Sequence, residues 1–375
     1  MGSGGNSGSP IHWRIGANYC VNQDKKNLPI AVDAMGADHG SAVVVEGAVE
    51  AASEYGISSI IVGSEEEISA RLFALGAANH NLIRVHHAPE IVTMEDSPSA
   101  AIRRKPNSSI RHAFDLVKRG EASAVVSPGN TGAVMAAGMY VVGNLPGVLR
   151  PAIASLIPRK GGATQPTVLL DSGANVDCSS QQLVQFALMG AQYARAGLGV
   201  AQPKIGLLSN GTEDSKGTDV IRAAALVLGQ NNELEGASLK YIGFVEPKHI
   251  PSDAADVVVA DGFVGNCILK AMEGTVELVV DSLKLAAQES WLGSLGLMIA
   301  KPTLRRVFKD RLNPSAYGGA PLLGLGCVTI ICHGSAKARA IKNGIKVAHT
   351  LVVTDSMAKM AEALAPLSKA EGERA

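Results

Sequence analysis

Four short segments place glycine beside asparagine, serine, threonine or histidine, each after an apolar run and before a helical one. The first is Val126-Ser-Pro-Gly-Asn-Thr-Gly-Ala133. Gly129 and Gly132 let the backbone approach a ligand, Asn130 and Thr131 add polar groups, and the free N–H groups of a helix start favour an anion. A capped turn without a ligand is the competing reading. The second, Leu170-Asp-Ser-Gly-Ala-Asn-Val-Asp177, offers Asp171, Asn175 and Asp177 for acid–base or metal chemistry. The alternative there is an Asx turn. The third, Ala260-Asp-Gly-Phe-Val-Gly-Asn266, carries Asp261 and Asn266 into an apolar helix, where a simple cap competes. The fourth, Cys332-His-Gly-Ser-Ala336, ends a strand on His333 and leaves Ser335 to cap a helix. A histidine there can hold a phosphate or a carbonyl oxygen, or be structural. Ligands of open α/β sheets bind outside the carboxyl ends of the strands, so the recurrence implies one anion-binding crevice.

Other chemistries fail on spacing. No GxGxxG, GxSxG or HExxH pattern is present. Gly211-Thr-Glu-Asp-Ser-Lys216 has a phosphate-loop flavour without the spacing. Cys178 and Cys267 adjoin site loops, but buried, unreactive thiols are the stronger expectation. The cysteine count is five with no CxxC pair, which supports neither a disulfide framework nor a zinc ribbon and suits a reduced, cytoplasmic compartment.

The elements that must position these loops alternate. Strands are expected at 29–33, 58–62, 82–86, 122–126, 152–157, 167–170, 204–208, 239–245, 256–260 and 327–332. Helices are expected at 41–55, 65–75, 131–142, 181–196 and 335–350, with Ser41 and Gly56 capping the first. A long polar loop, 87–109, breaks the rhythm, and possible seams lie at 144–151 and 316–321. This alternation is the sequence form of an α/β protein with a mostly parallel sheet covered by crossover helices. Residues 1–28 read as a flexible tail or an expression remnant, 29–365 as one catalytic domain and 366–375 as a second tail.

The chain has 375 residues and equal numbers of cationic and anionic side chains, 34 each, which argues against a general nucleic-acid binder. Residues 290–311 join an apolar stretch containing Trp291 and Leu295 to a basic one containing Arg305, Arg306 and Lys309. That pattern suits an interfacial membrane anchor or an acidic protein partner; a dimer or core helix with a solvated basic face is equally compatible.

Taken together the motifs resemble the PlsX family of phosphate acyltransferases. The matching stretches are Ile30-Ala-Val-Asp-Ala-Met-Gly36, Pro89 to Met94, Ser127 to Ala133, Asp171 to Cys178, Ile205 to Leu208 with Lys216-Gly217, Ala255 to Asn266, Tyr317 to Gly324 and His333-Gly-Ser335. The resemblance implies a three-layer α/β/α fold like those of isopropylmalate dehydrogenase and phosphotransacetylase. It implies acyl transfer from a long-chain acyl-[acyl carrier protein] to inorganic phosphate, with no cofactor or metal. It further implies a homodimer held peripherally at the membrane, whose acyl phosphate serves a glycerol-3-phosphate acyltransferase in phospholipid synthesis. Transfer from acyl-CoA and a non-catalytic membrane-associated scaffold are the alternatives. The chain departs from the family pattern at Phe244, Pro247 and His249.

Phosphate is itself the nucleophile in such a reaction, so positioning and oxyanion donors carry most of the catalysis. On this reading Gly129, Asn130, Thr131 and Gly132 hold phosphate with Lys105 as a cation. His333, Asn266 and Lys216 act on the reacting oxygens, and Asp171, Asn175 and Asp261 order the crevice.

Overall fold

A computed structural model describes residues 26–162, 165–230, 239–288, 290–310 and 318–372. The first half begins with β1 (Ile30–Asp33), α1 (Ser41–Tyr55), β2 (Ser59–Gly63), α2 (Glu65–Ala74) and β3 (Ile83–His87). It continues through α3 (Pro98–Arg104), α4 (Ser109–Lys118), β4 (Ala124–Ser127) and α5 (Thr131–Val141). The second contains β5 (Ala152–Ile157), β6 (Thr167–Leu170), α6 (Ser180–Leu198), β7 (Lys204–Leu208), α7 (Asp219–Gln230), β8 (Lys240–Val245) and β9 (Val257–Val259). Then come the long helices α8 (Gly262–Gln288) and α9 (Trp291–Asp310), the strands β10 (Ala320–Leu323) and β11 (Val328–Ile331), and α10 (Ala338–Val353) and α11 (Ser356–Gly372).

The strands form one 11-stranded sheet in the order β3-β2-β1-β4-β11-β10-β5-β6-β9-β7-β8. Alternation along β1 shows why there are three layers. Ile30 and Val32 face a core shared with α1, α6 and α10, while Ala31 faces another with α3, α4 and α5. Leu169 of β6 meets Ile268 and Leu269 of α8 in a third cluster.

Pairing is parallel through β3, β2, β1, β4 and β11, and again through β6, β9, β7 and β8. Between these blocks β10 is antiparallel to both β11 and β5, and β5 is antiparallel to β6. The chain direction therefore reverses three times, and the two parallel blocks run in opposite senses. The carboxyl ends of β1, β4 and β11 point one way along the ladder, and those of β6, β9 and β7 the other.

Other expectations are corrected locally. The 87–109 loop contains α3, and the 316–321 seam leads into β10. Gly40, not Ser41, is the N-cap of α1; the Ser41 hydroxyl instead donates to Glu67 Oε1 at 2.5 Å. Helix α11 continues across Pro366, where a tail is expected. The segment 144–151 is tied to α6, because the Leu149 N–H donates to Gln185 Oε1 and Gln185 Nε2 donates to Gly147 O.

Helix α1 packs on α10 at a glycine. A Cβ on Gly47 would lie 2.6 Å from Ala338 O and 2.7 Å from Ile341 Cβ. Gly229, near the exposed end of α7, has no such neighbour within 4 Å. Gly47→Ala is expected to cost about 1–3 kcal/mol through forced separation of the helices. Gly229→Ala is expected to gain about 0.5–1 kcal/mol from helix propensity. Urea unfolding of the two variants checks this, and equal effects would contradict the packing described.

Candidate active site

The first cluster forms where β1, β4 and β11 end. Asp33, the last residue of β1, is 2 % exposed. Its Oδ2 accepts from the Ser127 hydroxyl at 2.7 Å and its Oδ1 from the Met35 N–H at 3.1 Å. Burial pushes its pKa above the ordinary carboxyl value, opposed by hydrogen bonds from Ser109, Ser127 and Met35. The Ser127 hydroxyl oxygen in turn accepts from the Gly129 N–H at 3.1 Å. This chain of bonds fixes the loop after β4. A Cβ on Gly36 would lie 2.4 Å from Gly129 Cα, so the β1 and β4 loops touch backbone to backbone.

Asn130 is the N-cap of α5, its Oδ1 accepting from the Ala133 N–H at 3.1 Å. Its Nδ2 donates to Met94 O at 3.2 Å, bringing in the segment before α3. Met94 Cε and both Asp38 carboxylate oxygens crowd the position a Cβ on Gly334 would take, at 3.0, 2.8 and 2.9 Å. The loops after β1, β4 and β11 therefore converge with Met94. His333 sits at this edge, exposed. The Ser335 N–H donates to His333 Nδ1 at 3.2 Å, and the Ser335 hydroxyl lies 2.8 Å from the same nitrogen. In the neutral ring the proton is therefore on Nε2, which is left as a donor. Ser335 serves the histidine and caps no helix; α10 begins at Ala338.

Helices α1, α5 and α10 all start at this edge, and none carries an acidic residue in its first turn. Three helices thus start just after strands that end at this edge, and helix N-termini favour an anion. Exposed Thr131 and half-buried Gly132 lie in the first turn of α5, with Gly132 under Pro98. Lys105, expected as a cation at the phosphate site, is paired with an acid. Its Nζ lies 2.6 Å from Asp96 Oδ2 and donates to Ile91 O at 2.9 Å, so it braces the 91–105 segment.

The second cluster forms where β6, β9 and β7 end. Asp171 is fully buried. Its Oδ1 accepts N–H groups of Ile153, Gly173 and Ala174 at 3.0–3.1 Å. Its Oδ2 accepts from Ala174 N, Asn175 N and Asn175 Nδ2 at 2.7–3.1 Å. Asn175 Nδ2 also donates to Pro151 O at 2.8 Å. A Cβ on Gly265 would lie 1.9 Å from Asp171 O, so α8 starts directly on this turn. Asp261 caps α8 through the Val264 N–H at 2.8 Å. Asn266 is exposed and sits against Gly173. Half-buried Lys216 lies in the loop after β7, with no ion pair among the described residues. Asn266 and Lys216 thus follow strands of the block that contains β6, whereas His333 follows a strand of the other block. Burial pushes the Cys178 thiol up to about 11, which fits an unreactive cysteine.

Sequence reasoning missed the Asp33–Ser127 bond; an acid closing the first apolar strand was its only sign. Trp291 and Leu295 of α9 are exposed. The side chains of Arg305, Arg306 and Lys309, and Tyr317, lie outside the described residues. Among the described residues no group of histidine, cysteine and acidic side chains could hold a metal, and no helix is long and apolar enough to cross a membrane.

The sheet and the helices that cover it define a protein of the three-layer α/β class. The chain belongs to the family described as fatty acid synthesis protein, whose model matches residues 28–359. It is 48% identical over 339 residues to a phosphate acyltransferase of Geobacter sulfurreducens, covering 89% of this chain and 94% of that protein. It is 45% identical over 325 residues to a phosphate acyltransferase of Pelotomaculum thermopropionicum, covering 87% and 92%. In fold it is similar to a phosphotransacetylase of Streptococcus pyogenes, at TM-score 0.58 and 22% identity over 88% of this chain and 96% of that one. The EutD phosphotransacetylase of Staphylococcus aureus also has TM-score 0.58, at 18% identity over 88% and 95%.

The raised pKa of Asp33 has a definite sign. Stability it contributes is fully present below its unfolded value, near the ordinary 3.8, and is lost as pH rises through the higher folded value. Asp33→Asn removes that titration. The stability of the native chain relative to the variant is expected to fall as pH rises from below 4 toward neutrality. Denaturant unfolding of both at several pH values checks it; a difference that is flat or grows with pH would contradict the burial argument.

Proposed function

We propose that the protein transfers an acyl group from an acyl-[acyl carrier protein] thioester to inorganic phosphate, giving an acyl phosphate for phospholipid synthesis. The observation that carries this reading is the convergence of three helix N-termini with Asn130 and the His333 Nε2–H donor at the first edge. The names of the 45–48% identical relatives support the same chemistry. The family description, fatty acid synthesis protein, favours the carrier-protein donor.

In this reading phosphate lies against the start of α5, held by the N–H groups of Thr131 and Gly132. A phosphate oxygen attacks the thioester carbonyl carbon and a C–O bond forms. The carbonyl oxygen becomes an oxyanion, and the C–S bond then breaks as it collapses. The departing thiolate is a fair leaving group near neutral pH, so the site needs no strong general acid. His333 Nε2–H donates to the developing oxyanion, a contribution worth about two to three powers of ten in comparable sites. Transfer from acyl-CoA is the second reading, favoured by the fold shared with phosphotransacetylases.

The test is phosphate-dependent loss of thioester from a long-chain acyl-[acyl carrier protein], run beside the matching acyl-CoA, with product trapped as hydroxamate. Turnover with the carrier protein is expected to exceed that with CoA. His333→Ala and Asn130→Ala are each expected to lower turnover by at least about tenfold. Wild-type turnover in both variants would place the site elsewhere.

Helices α8 and α9 form a hairpin whose outer faces expose Leu278, Leu285, Trp291, Leu292, Met298 and Ile299. A homodimer built on this hairpin, with the 290–299 end touching the membrane, fits that exposure. Co-sedimentation with anionic vesicles is expected for the full chain and is expected to weaken several-fold in Trp291→Ser/Leu292→Ser. Unchanged sedimentation of the variant would remove the membrane role from this segment.

A further inference from the structure

The first edge has a rim that acyl transfer to phosphate leaves unused. Helix α3 sits on the start of α5: a Cβ on Gly132 would lie 2.8 Å from Pro98 Cγ. From Pro98 to Arg104 the helix advances about 9 Å, at about 1.5 Å per residue. Its last turn ends on Arg103 and Arg104, both exposed. Arg103 Nε donates to Ser99 O at 3.3 Å, and neither guanidinium is in an ion pair among the described residues. Arg111 joins them from α4, because its Nη1 donates to Ile102 O at 3.1 Å. Its guanidinium carbon stands 5.1 Å from the centre of the Tyr140 ring, and Tyr140 is 59 % exposed. Three arginines and one exposed ring are therefore contiguous beside the phosphate loop.

The acids of this segment are engaged or stand elsewhere. Asp96 is paired with Lys105 at 2.6 Å, Glu90 Oε2 accepts the Asn107 N–H at 2.7 Å, and Glu95 precedes α3 while the arginines close it. Cations in a last turn complement the dipole of α3, and Arg111 braces α4 against α3. Neither role uses an exposed ring or needs both arginine heads in solvent. Arginine and tyrosine are the side chains on which protein surfaces most often recognise each other. The offset from the loop also has a meaning. A thioester carried on a pantetheine arm has the reach of about four extended residues, about 14 Å, so its carrier must rest to one side of the site. The hairpin exposes Leu278, Trp291 and Met298, side chains suited to lipid. The α3 rim is cationic instead, which fits a carboxylate-bearing protein face.

We infer that the end of α3 is the docking surface for the protein part of the acyl donor: Arg103, Arg104 and the Arg111–Tyr140 pair receive an acidic face of the carrier, from which the arm reaches the loop at 129–132. This rests on the carrier-protein reading above and names the residues that select the carrier. Arg103 and Arg104 steer and hold carboxylates at the rim. Tyr140, its ring covered on one side by Arg111, supplies the apolar centre of the contact. None of these side chains touches the reacting atoms. They set the KM for the carrier and leave the chemical step alone. A thioester of free pantetheine has the same arm and no carrier, so it gains nothing from this surface.

Arg103→Glu/Arg104→Glu reverses the charge at two exposed positions, and thermal melts check that the variant folds. With a long-chain acyl-[acyl carrier protein] its KM is expected to rise at least about tenfold, while kcat at saturation changes less than about twofold. With the matching acyl-pantetheine, variant and wild type are expected to turn over alike. Arg103→Lys/Arg104→Lys keeps the charge and is expected to hold KM within about threefold of wild type. The wild-type KM for the carrier is expected to rise between about 50 and about 300 mM salt, and that of the Glu variant to stay flat or fall. A wild-type KM indifferent to salt overturns the surface without any variant. So does an unchanged KM in the Glu variant, including the case in which that variant loses vesicle binding and the rim serves a membrane. An equal loss with acyl-pantetheine overturns it too, because the arginines would then serve the site itself. Wild type that uses acyl-CoA but not the carrier protein also overturns it, and leaves acyl transfer to phosphate standing. Absent phosphate-dependent turnover with any thioester would instead remove the reading on which it rests.

Discussion

The reversal of strand direction at β10 and β5 governs everything else in this molecule. Two antiparallel strands between two parallel blocks turn the carboxyl ends of the blocks away from each other along the ladder. Parallel blocks need helical crossovers, so each block delivers helix N-termini to its own carboxyl edge. Helices α1, α5 and α10 thus meet at one edge, while α6, α7 and α8 start at the other. A uniformly parallel sheet would have gathered all the glycine loops at one end.

Within each edge a buried carboxyl group holds the loops. Asp33 ties β1 to β4 through Ser127, and that hydroxyl passes the restraint on to Gly129. Asp171 gathers backbone N–H groups from β5 and from its own turn, which seats the start of α8. Both groups spend their acceptors on structure, leaving the helix-terminal N–H groups for a ligand. Lys105 follows the same logic. Its charge is absorbed by Asp96, so favourable electrostatics at the first edge come from backbone dipoles more than from cationic side chains. Donors held this firmly need little reorganisation when charge develops, which is the form of catalysis that suits a nucleophile supplied by the substrate.

Much of the fold was legible because β/α alternation writes itself in hydrophobic period and glycine punctuation. The runs 152–157, 167–170 and 204–208 match β5, β6 and β7, and Ser41–Tyr55 matches α1. Strand direction was not legible, since periodicity carries no sign of which neighbour a strand pairs with. β10 was hidden for that reason and because its Ala-Pro start follows two glycines. Helix α3 was hidden among prolines and charges. For the site, the loop at 127–132 and His333 were readable as strand-end motifs that share an edge. Asn266 and Lys216 were readable as motifs, but not that their strands run opposite to the one before His333, because direction depends on long-range pairing. The commitment of Lys105 to Asp96 was equally invisible, being a contact across a folded loop.

The claim that matters most is that the edge formed by β1, β4 and β11 holds phosphate. Titration calorimetry of inorganic phosphate into the native chain and into Asn130→Ala measures it directly. The native chain is expected to bind phosphate and the variant to bind it at least about tenfold more weakly, through loss of the cap and its tie to Met94. Equal affinity in both would contradict the account.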